Sequence, residues 1–283
     1  MNGILVLDKP AGMSSASAVD KVKRALGVKR AGHGGTLDPI ATGVLAVCVG
    51  EGTKLASYLL ADDKEYEAEC ELGVTTDTLD RTGVVTATCD PSGVTRQAIM
   101  AALAKRTGDQ DQVPPMYSAL KRDGVRGYKR ARAGEVFAPE PRRVRIDRLE
   151  LLELRPPFVR IAIACSKGTY VRSIIGDLGT DLGVGANMTQ LRRTRSGSFT
   201  LAQAQRLEQL DPSRFIALSE ATALPRVVTP AALVAKILSG VQLPAETFDI
   251  AAPQFQILDE AGTLLAIVHA ELGRIVYDRV FGV

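Results

Sequence analysis

The chain has 283 residues, a formal net charge of +3, 46% hydrophobic and 24% charged residues, which suits a globular protein long enough for two domains. Its four cysteines form no CxxC pair and its two histidines lie far apart, so neither a zinc site nor a disulfide framework is expected. No apolar stretch approaches the ~20 residues that span a bilayer, and the apolar start is too short for a secretory signal, so a cytoplasmic protein without membrane contact is expected.

In chain order, "GILVLDKP" reads as a strand stopped at Pro10, and "SSASAVDKVKRALG" as a helix capped by Ser14 or Ser15 and closed by Gly27. "VLAVCVG" is a buried strand, "TKLASYLL" a short helix, and "KEYEAECELG" a strand with one wet face. "GVVTATC" is β-rich, and "TRQAIMAALAKRTG" is an amphipathic helix that Thr95 caps. "RRVRIDRLELLEL" and "FVRIAIACSKG" are long alternating strands joined through Pro156-Pro157. "TYVRSIIGDLGTDLG" is a helix and "NMTQLRRTRSGSF" a strand. Beyond about residue 225 a helix, "TPAALVAKILSG", precedes short strands separated by Pro244, Pro253 and Gly262. Strands outnumber helices, and adjacent strands often lack a helix between them. That predicts an α+β fold with a large, mostly antiparallel sheet and flanking helices, plus a small, mostly β C-terminal domain.

Positive charge is concentrated ahead of that tail. Residues 121–148 hold ten Lys/Arg against four Asp/Glu, Arg192, Arg193 and Arg195 cluster again, and residues 226–283 hold four basic against six acidic residues. A polyanion lying across the larger part fits this distribution, as does a solvated hairpin. No P-loop, no GxGxxG opening a helix and no GxSxG elbow is present.

Three segments pair unusual polar residues with a structural hinge. "GHGGTLDPIATG" holds His33 and Asp38, and read alone is either a turn or a rigid loop presenting a carboxylate. "DKEYEAE" puts Tyr66 in a strand between charges. "CSKGTYVRS" puts Tyr170 and Arg172 in the first turn of a helix, where a cation opposes the dipole. Such an arginine either reaches solvent or pairs with a carboxylate, for which Asp38 is a candidate. "TDTLDRTG" reads as a turn stapled by its own side chains.

Together and in order, "LDKPAGMSS", "AGHGGTLDPIATGVLAVCVGEGTK", "KEYEAE", "TDTLDRTG", "PPMYSALK", "CSKGTYVRSIIGDLG" and "LRRTRSGSF" resemble the TruB family of tRNA pseudouridine-55 synthases. The resemblance implies the pseudouridine synthase fold over residues 1–225 and a PUA-type RNA-binding domain over 226–283. It implies isomerisation of uridine in the TΨC loop of tRNA without cofactor or metal, by a protein read as a monomer whose partner is the tRNA T-arm. Asp38 matches the family's catalytic aspartate, Tyr66 the tyrosine that stacks on the base and assists loss of the C5 proton, and Arg172 the ion-pair partner of the aspartate. His33 matches the histidine that enters the loop where bases leave, and Tyr170 lines the pocket. Lys9 and Pro10 support it, Asp77, Thr78 and Asp80 contact RNA, Lys121 meets phosphate, and Leu191 is the apolar pocket residue. Guide-RNA-dependent relatives carry a TSH triplet where "MSSAS" stands here and lack the "TDTLDRTG" segment, so a stand-alone enzyme is expected.

Overall fold

The computed structural model describes residues 1–117, 121–122, 125–126, 140–250 and 252–282. The chain divides into two units: Met1–Pro39 with Val44–Ala61 and Ser198–Val283, and Ile40–Gly43 with Asp62–Gly197. Parts of the basic stretch 121–148, and residues 118–120 of "PPMYSALK", lie outside the described residues.

The first unit opens with β1 (Gly3–Lys9), α1 (Ser15–Leu26), β2 (Ala31–His33), β3 (Thr42–Val49) and α2 (Ala56–Leu60). β1 and β3 are neighbours, and both are almost wholly buried. Strands covered on both faces read as continuous apolar runs rather than alternating ones, which is how "GILVL" and "VLAVCV" read. Ser14 caps α1 by accepting from the Ser17 N–H at 3.1 Å, and Gly27, at φ +63°, closes it.

The second unit holds β4 (Lys64–Leu72), β5 (Val74–Thr76), β6 (Val85–Thr88), α3 (Arg96–Lys105), β7 (Gly108–Gln112), β8 (Lys121–Arg122), β9 (Val125–Arg126), β10 (Arg142–Arg155), β11 (Phe158–Cys165), α4 (Val171–Asp181) and β12 (Ala186–Ser196). Its sheet runs β12-β4-β11-β10-β7, antiparallel throughout. The first residues of β3, Thr42 and Gly43, add to β12 in parallel, so the sheet is mixed. β4 alternates strictly: Lys64, Tyr66, Ala68, Cys70 and Leu72 are buried, while Glu65, Glu67, Glu69 and Glu71 face outward. On that outer face the glutamates meet arginines, as in Arg195–Glu65 at 2.9 Å and Arg160–Glu67 at 3.1 Å.

The first unit resumes with β13 (Phe199–Thr200), β14 (Arg226–Val228), α5 (Ala231–Leu238), β15 (Gln254–Leu258), β16 (Leu264–Glu271) and β17 (Arg274–Val280). The last four strands form a sheet in the order β14-β15-β16-β17. Phe248, Phe255, Ile257, Val268 and Ile275 pack against α5 residues, among them Ile237, in one cluster. Leu258, Leu264, Ile267 and Phe281 belong to a second cluster with Ile4, Val6, Val44, Ala46 and Leu55. Among the described residues no helix is long and apolar enough to cross a membrane.

Candidate active site

The Asp38 loop is held from both sides. Because Ser14 takes the capping role, the neighbouring Ser15 hydroxyl turns inward: it accepts from the Leu37 N–H at 2.7 Å and donates to the Leu37 carbonyl at 3.1 Å. Both residues are buried. One residue past the aspartate, the Pro39 carbonyl accepts from the Gly12 N–H at 2.8 Å. Further back, Lys9 is fully buried, and its Nζ donates to the carbonyls of Pro10 at 2.9 Å and Met13 at 2.8 Å. A buried ammonium is tolerated only when hydrogen-bonded, and here its bonds shape the turn that carries Gly12 to Pro39. Asp38, half-buried, therefore sits between two pinned peptides. His33 ends β2, half-buried and opposite Val47.

The end of the same motif is set in the second unit. Gly43 has φ +98°, and a Cβ there would lie 2.2 Å from the Arg193 carbonyl oxygen. Only glycine lets the strand approach β12 this closely.

Tyr66 lies on the inward face of β4 with register partners Ile163 on β11 and Arg193 on β12. Leu191, 7% exposed, is opposite Ala68, so it shares that face. Two cations are buried here as well, Arg193 and Lys64. Burial, and then the Arg193 charge, push Lys64 down to about 8. Its Nζ donates to the Asp62 carbonyl.

Arg172, in the first turn of α4, does not reach solvent: it is 4% exposed. Its guanidinium donates to the carbonyls of Thr78 at 2.9 Å and Tyr117 at 3.0 Å, and lies 3.7 Å from the Asp80 carboxylate. These acceptors explain a cation where the helix dipole disfavours one. Asp80, 5% exposed, also accepts from Thr78 Oγ1 at 3.0 Å and from the Thr82 N–H at 2.9 Å, so the stapled-turn reading of "TDTLDRTG" holds. Asp77 accepts from the Val84 N–H at 2.8 Å. The backbone of Tyr170 is clamped by the Gln112 side chain, which accepts from its N–H at 2.7 Å and donates to its carbonyl at 3.1 Å. The Arg142 guanidinium lies 5.8 Å from the Tyr170 ring centre. Lys121 starts β8, and its side chain lies outside the described residues.

Sequence reasoning missed Ser15 and Gln112, whose partners only the tertiary fold reveals, and the pairing of Asp80 with Arg172. It also missed Lys64, although a lysine in phase with Tyr66, Ala68, Cys70 and Leu72 was a readable sign of a buried cation.

Residues 23–171 match the TruB family pseudouridylate synthase N-terminal domain, and residues 172–234 the tRNA pseudouridylate synthase B C-terminal domain. The chain belongs to the TruB family. Within it, the chain is 54% identical over 211 residues to tRNA pseudouridine synthase B of Stutzerimonas stutzeri (strain A1501), covering 75% of this chain and 69% of that protein. It is 50% identical over 247 residues to tRNA pseudouridine synthase B of Symbiobacterium thermophilum, covering 85% and 83%. Among solved structures, a Cbf5-Nop10-Gar1 complex matches with a TM-score of 0.77 and 27% identity over 99% of this chain and 85% of the other. An H/ACA RNP bound to a substrate RNA containing 2′-deoxyuridine matches with a TM-score of 0.75 and 25% identity, with coverage of 99% and 85%. This TruB-family chain is thus a pseudouridine synthase by descent.

Proposed function

We propose that this chain converts the uridine at position 55 in the TΨC loop of tRNA to pseudouridine, as a stand-alone enzyme that needs no guide RNA. The observation that carries this reading is the Asp38 loop, pinned by Ser15 at Leu37 and by Gly12 at Pro39, in a chain half identical to proteins named tRNA pseudouridine synthase B. A turn made only to reverse the chain has no need of that bracing on both flanks of one carboxylate.

The reaction is an isomerisation. The N1–C1′ bond breaks, the uracil turns, C5 bonds to C1′, and the proton lost from C5 is balanced by the one N1 gains. The base must first leave its stack, which costs a few kcal/mol, and stacking on an aromatic ring returns about 1–3 kcal/mol. Tyr66 is the stacking residue and takes part in removing the C5 proton. Asp38 is the carboxylate that starts the reaction, by attack on C1′, by addition to C6 or by drawing the C2′ proton. Arg172 is the cation that serves it, and His33 fills the space the bases vacate. Tyr170 and Leu191 line the pocket, and Lys9 and Pro10 support it. Asp77, Thr78 and Asp80 form the turn beside the RNA, and Lys121 meets phosphate. The same reading makes the protein a cytoplasmic monomer that uses neither metal nor cofactor, with residues 226–283 as a PUA-type RNA-binding domain.

The test is incubation of pure protein with an unmodified tRNA transcript tritiated at uridine C5, with no guide RNA and no added metal. Tritium release is expected from the wild type. Asp38→Asn is expected to abolish release while tRNA binding stays within a few-fold. Normal turnover by that variant would sink the reading.

A further inference from the structure

The chain treats its cations in two ways. On the outer face of the β10–β11–β4–β12 sheet, arginines are neutralised: Arg145 by Asp63 and Asp147, Arg148 by Glu65 and Glu150, Arg155 by Glu69 and Glu153, Arg160 by Glu67 and Glu153, and Arg195 by Glu65, all within 4 Å. α1 and the turn after it are different. Residues 20–30 hold Lys21, Lys23, Arg24, Lys29 and Arg30 against the single Asp20. Lys21, Arg24 and Lys29 are exposed, and among the described residues their side chains make no ion pair. Lys21 and Arg24 stand three residues apart, on one face of the helix. Arg30 keeps its side chain 60% exposed while Glu51 pairs with it at 3.4 Å and Thr53 accepts from it at 2.9 Å. The next residue, Ala31, opens β2, which ends at His33.

Like charges gathered on one short stretch repel, and Lys21, Arg24 and Lys29 stand exposed there without a carboxylate partner among the described residues, whereas each of those outer-face sheet arginines has one within 4 Å. From this contrast we propose that Lys21, Arg24, Lys29 and Arg30 form a cradle for the phosphodiester backbone of the T-arm stem. This inference rests on the tRNA reading above and extends it to a surface that neither the catalytic motifs nor the 121–148 basic stretch includes. The continuity with His33 makes the T-arm, rather than a distant part of the tRNA, the element gripped. Arg24 lies in the last turn of α1, where the helix dipole favours a cation.

The test uses the full-length protein and the triple variant Lys21→Gln, Arg24→Gln, Lys29→Gln. Binding to a T-arm stem-loop and to the whole tRNA transcript is measured across a salt series, beside kcat and a thermal melt. Each phosphate contact adds roughly 0.9 to the slope of log K against log salt, so the variant is expected to lose about two to three units of slope and about ten- to a hundred-fold in affinity, equally for both RNAs. Its kcat at saturating RNA is expected to match the wild type. The control Arg145→Gln, Arg160→Gln is expected to keep the full slope. An unchanged slope in the triple variant would overturn the cradle, as would a loss seen with whole tRNA and not with the stem-loop. Wild-type turnover of the transcript tests the underlying reading separately, because it does not depend on the variants.

Discussion

Ser14 and Ser15 are adjacent hydroxyls at one helix start, and only the fold separates their tasks. Ser14 caps the helix, and Ser15 grips both backbone polar groups of Leu37, the residue before Asp38. Ser15→Ala leaves a buried N–H and a buried carbonyl without that partner, a cost of about 1–3 kcal/mol. It also lets the carboxylate drift, and a misplacement of ~1 Å can cost on the order of 100-fold in rate. Steady-state kinetics on tRNA are expected to show kcat lowered at least tenfold in Ser15→Ala, with KM within about threefold, and most of the loss restored in Ser15→Thr. Equal kcat for Ser15→Ala and wild type would remove Ser15 from the positioning of Asp38. At this scale Asp38, Tyr66 and Arg172 could be singled out because they stand in segments that resemble family motifs. Ser15 and Gln112 were not, because serine and glutamine carry no local sign of which distant peptide they will hold.

Among elements, those with a clear apolar period were readable, including β4, β10, β11, α1 and α3. β7 was not. "GDQDQ" has no apolar alternation, and it is a strand because its backbone pairs with β10 from Arg142 to Ile146. β4 makes a prediction that belongs to its alternation. Its inward phase places Lys64 where burial lowers the ammonium's pKa to about 8, against 10.5 for the ordinary side chain. Between those values the unfolded chain binds more protons than the folded one, so this lysine makes stability rise with pH from about 8 to 10.5. Below that window the fold bears the cost of the buried charge. Lys64→Met removes the dependence. Melts at pH 7 and pH 10 are expected to show the difference between variant and wild type moving in favour of the wild type by on the order of 2–3 kcal/mol. A difference that stays constant with pH would mean that Lys64 titrates as in solution.

For the whole molecule, the change of character near residue 225 was legible as a helix followed by short strands, and β14 to β17 form their own sheet. Hidden from the sequence was the joining of that segment to the N-terminal strands. Long-range packing partners leave no trace in local periodicity: Leu258, Leu264, Ile267 and Phe281 look like any strand residues, yet they share a cluster with Ile4, Val6, Val44 and Leu55. Polar ties follow the same route. Lys54 donates to the Val280 carbonyl at 2.7 Å and lies 5.7 Å from the Phe281 ring centre, and Glu51 accepts from the Gly282 N–H at 3.1 Å. Deleting residues 226–283 therefore strips one side of a shared core. Four buried apolar side chains at about 1.5–3 kcal/mol each come to roughly 6–12 kcal/mol, comparable with the ~5–15 kcal/mol that holds a typical domain folded. The truncated chain is expected to lose its cooperative melt or to aggregate on expression, and with it all tritium release. A single change, Phe281→Ala, is expected to keep activity at 25 °C and to lower stability by about 3–5 kcal/mol in urea denaturation. A truncated protein that melted at the wild-type temperature would show that β1 and β3 are stable without the C-terminal sheet, and only then would its tRNA affinity measure RNA binding by that sheet alone.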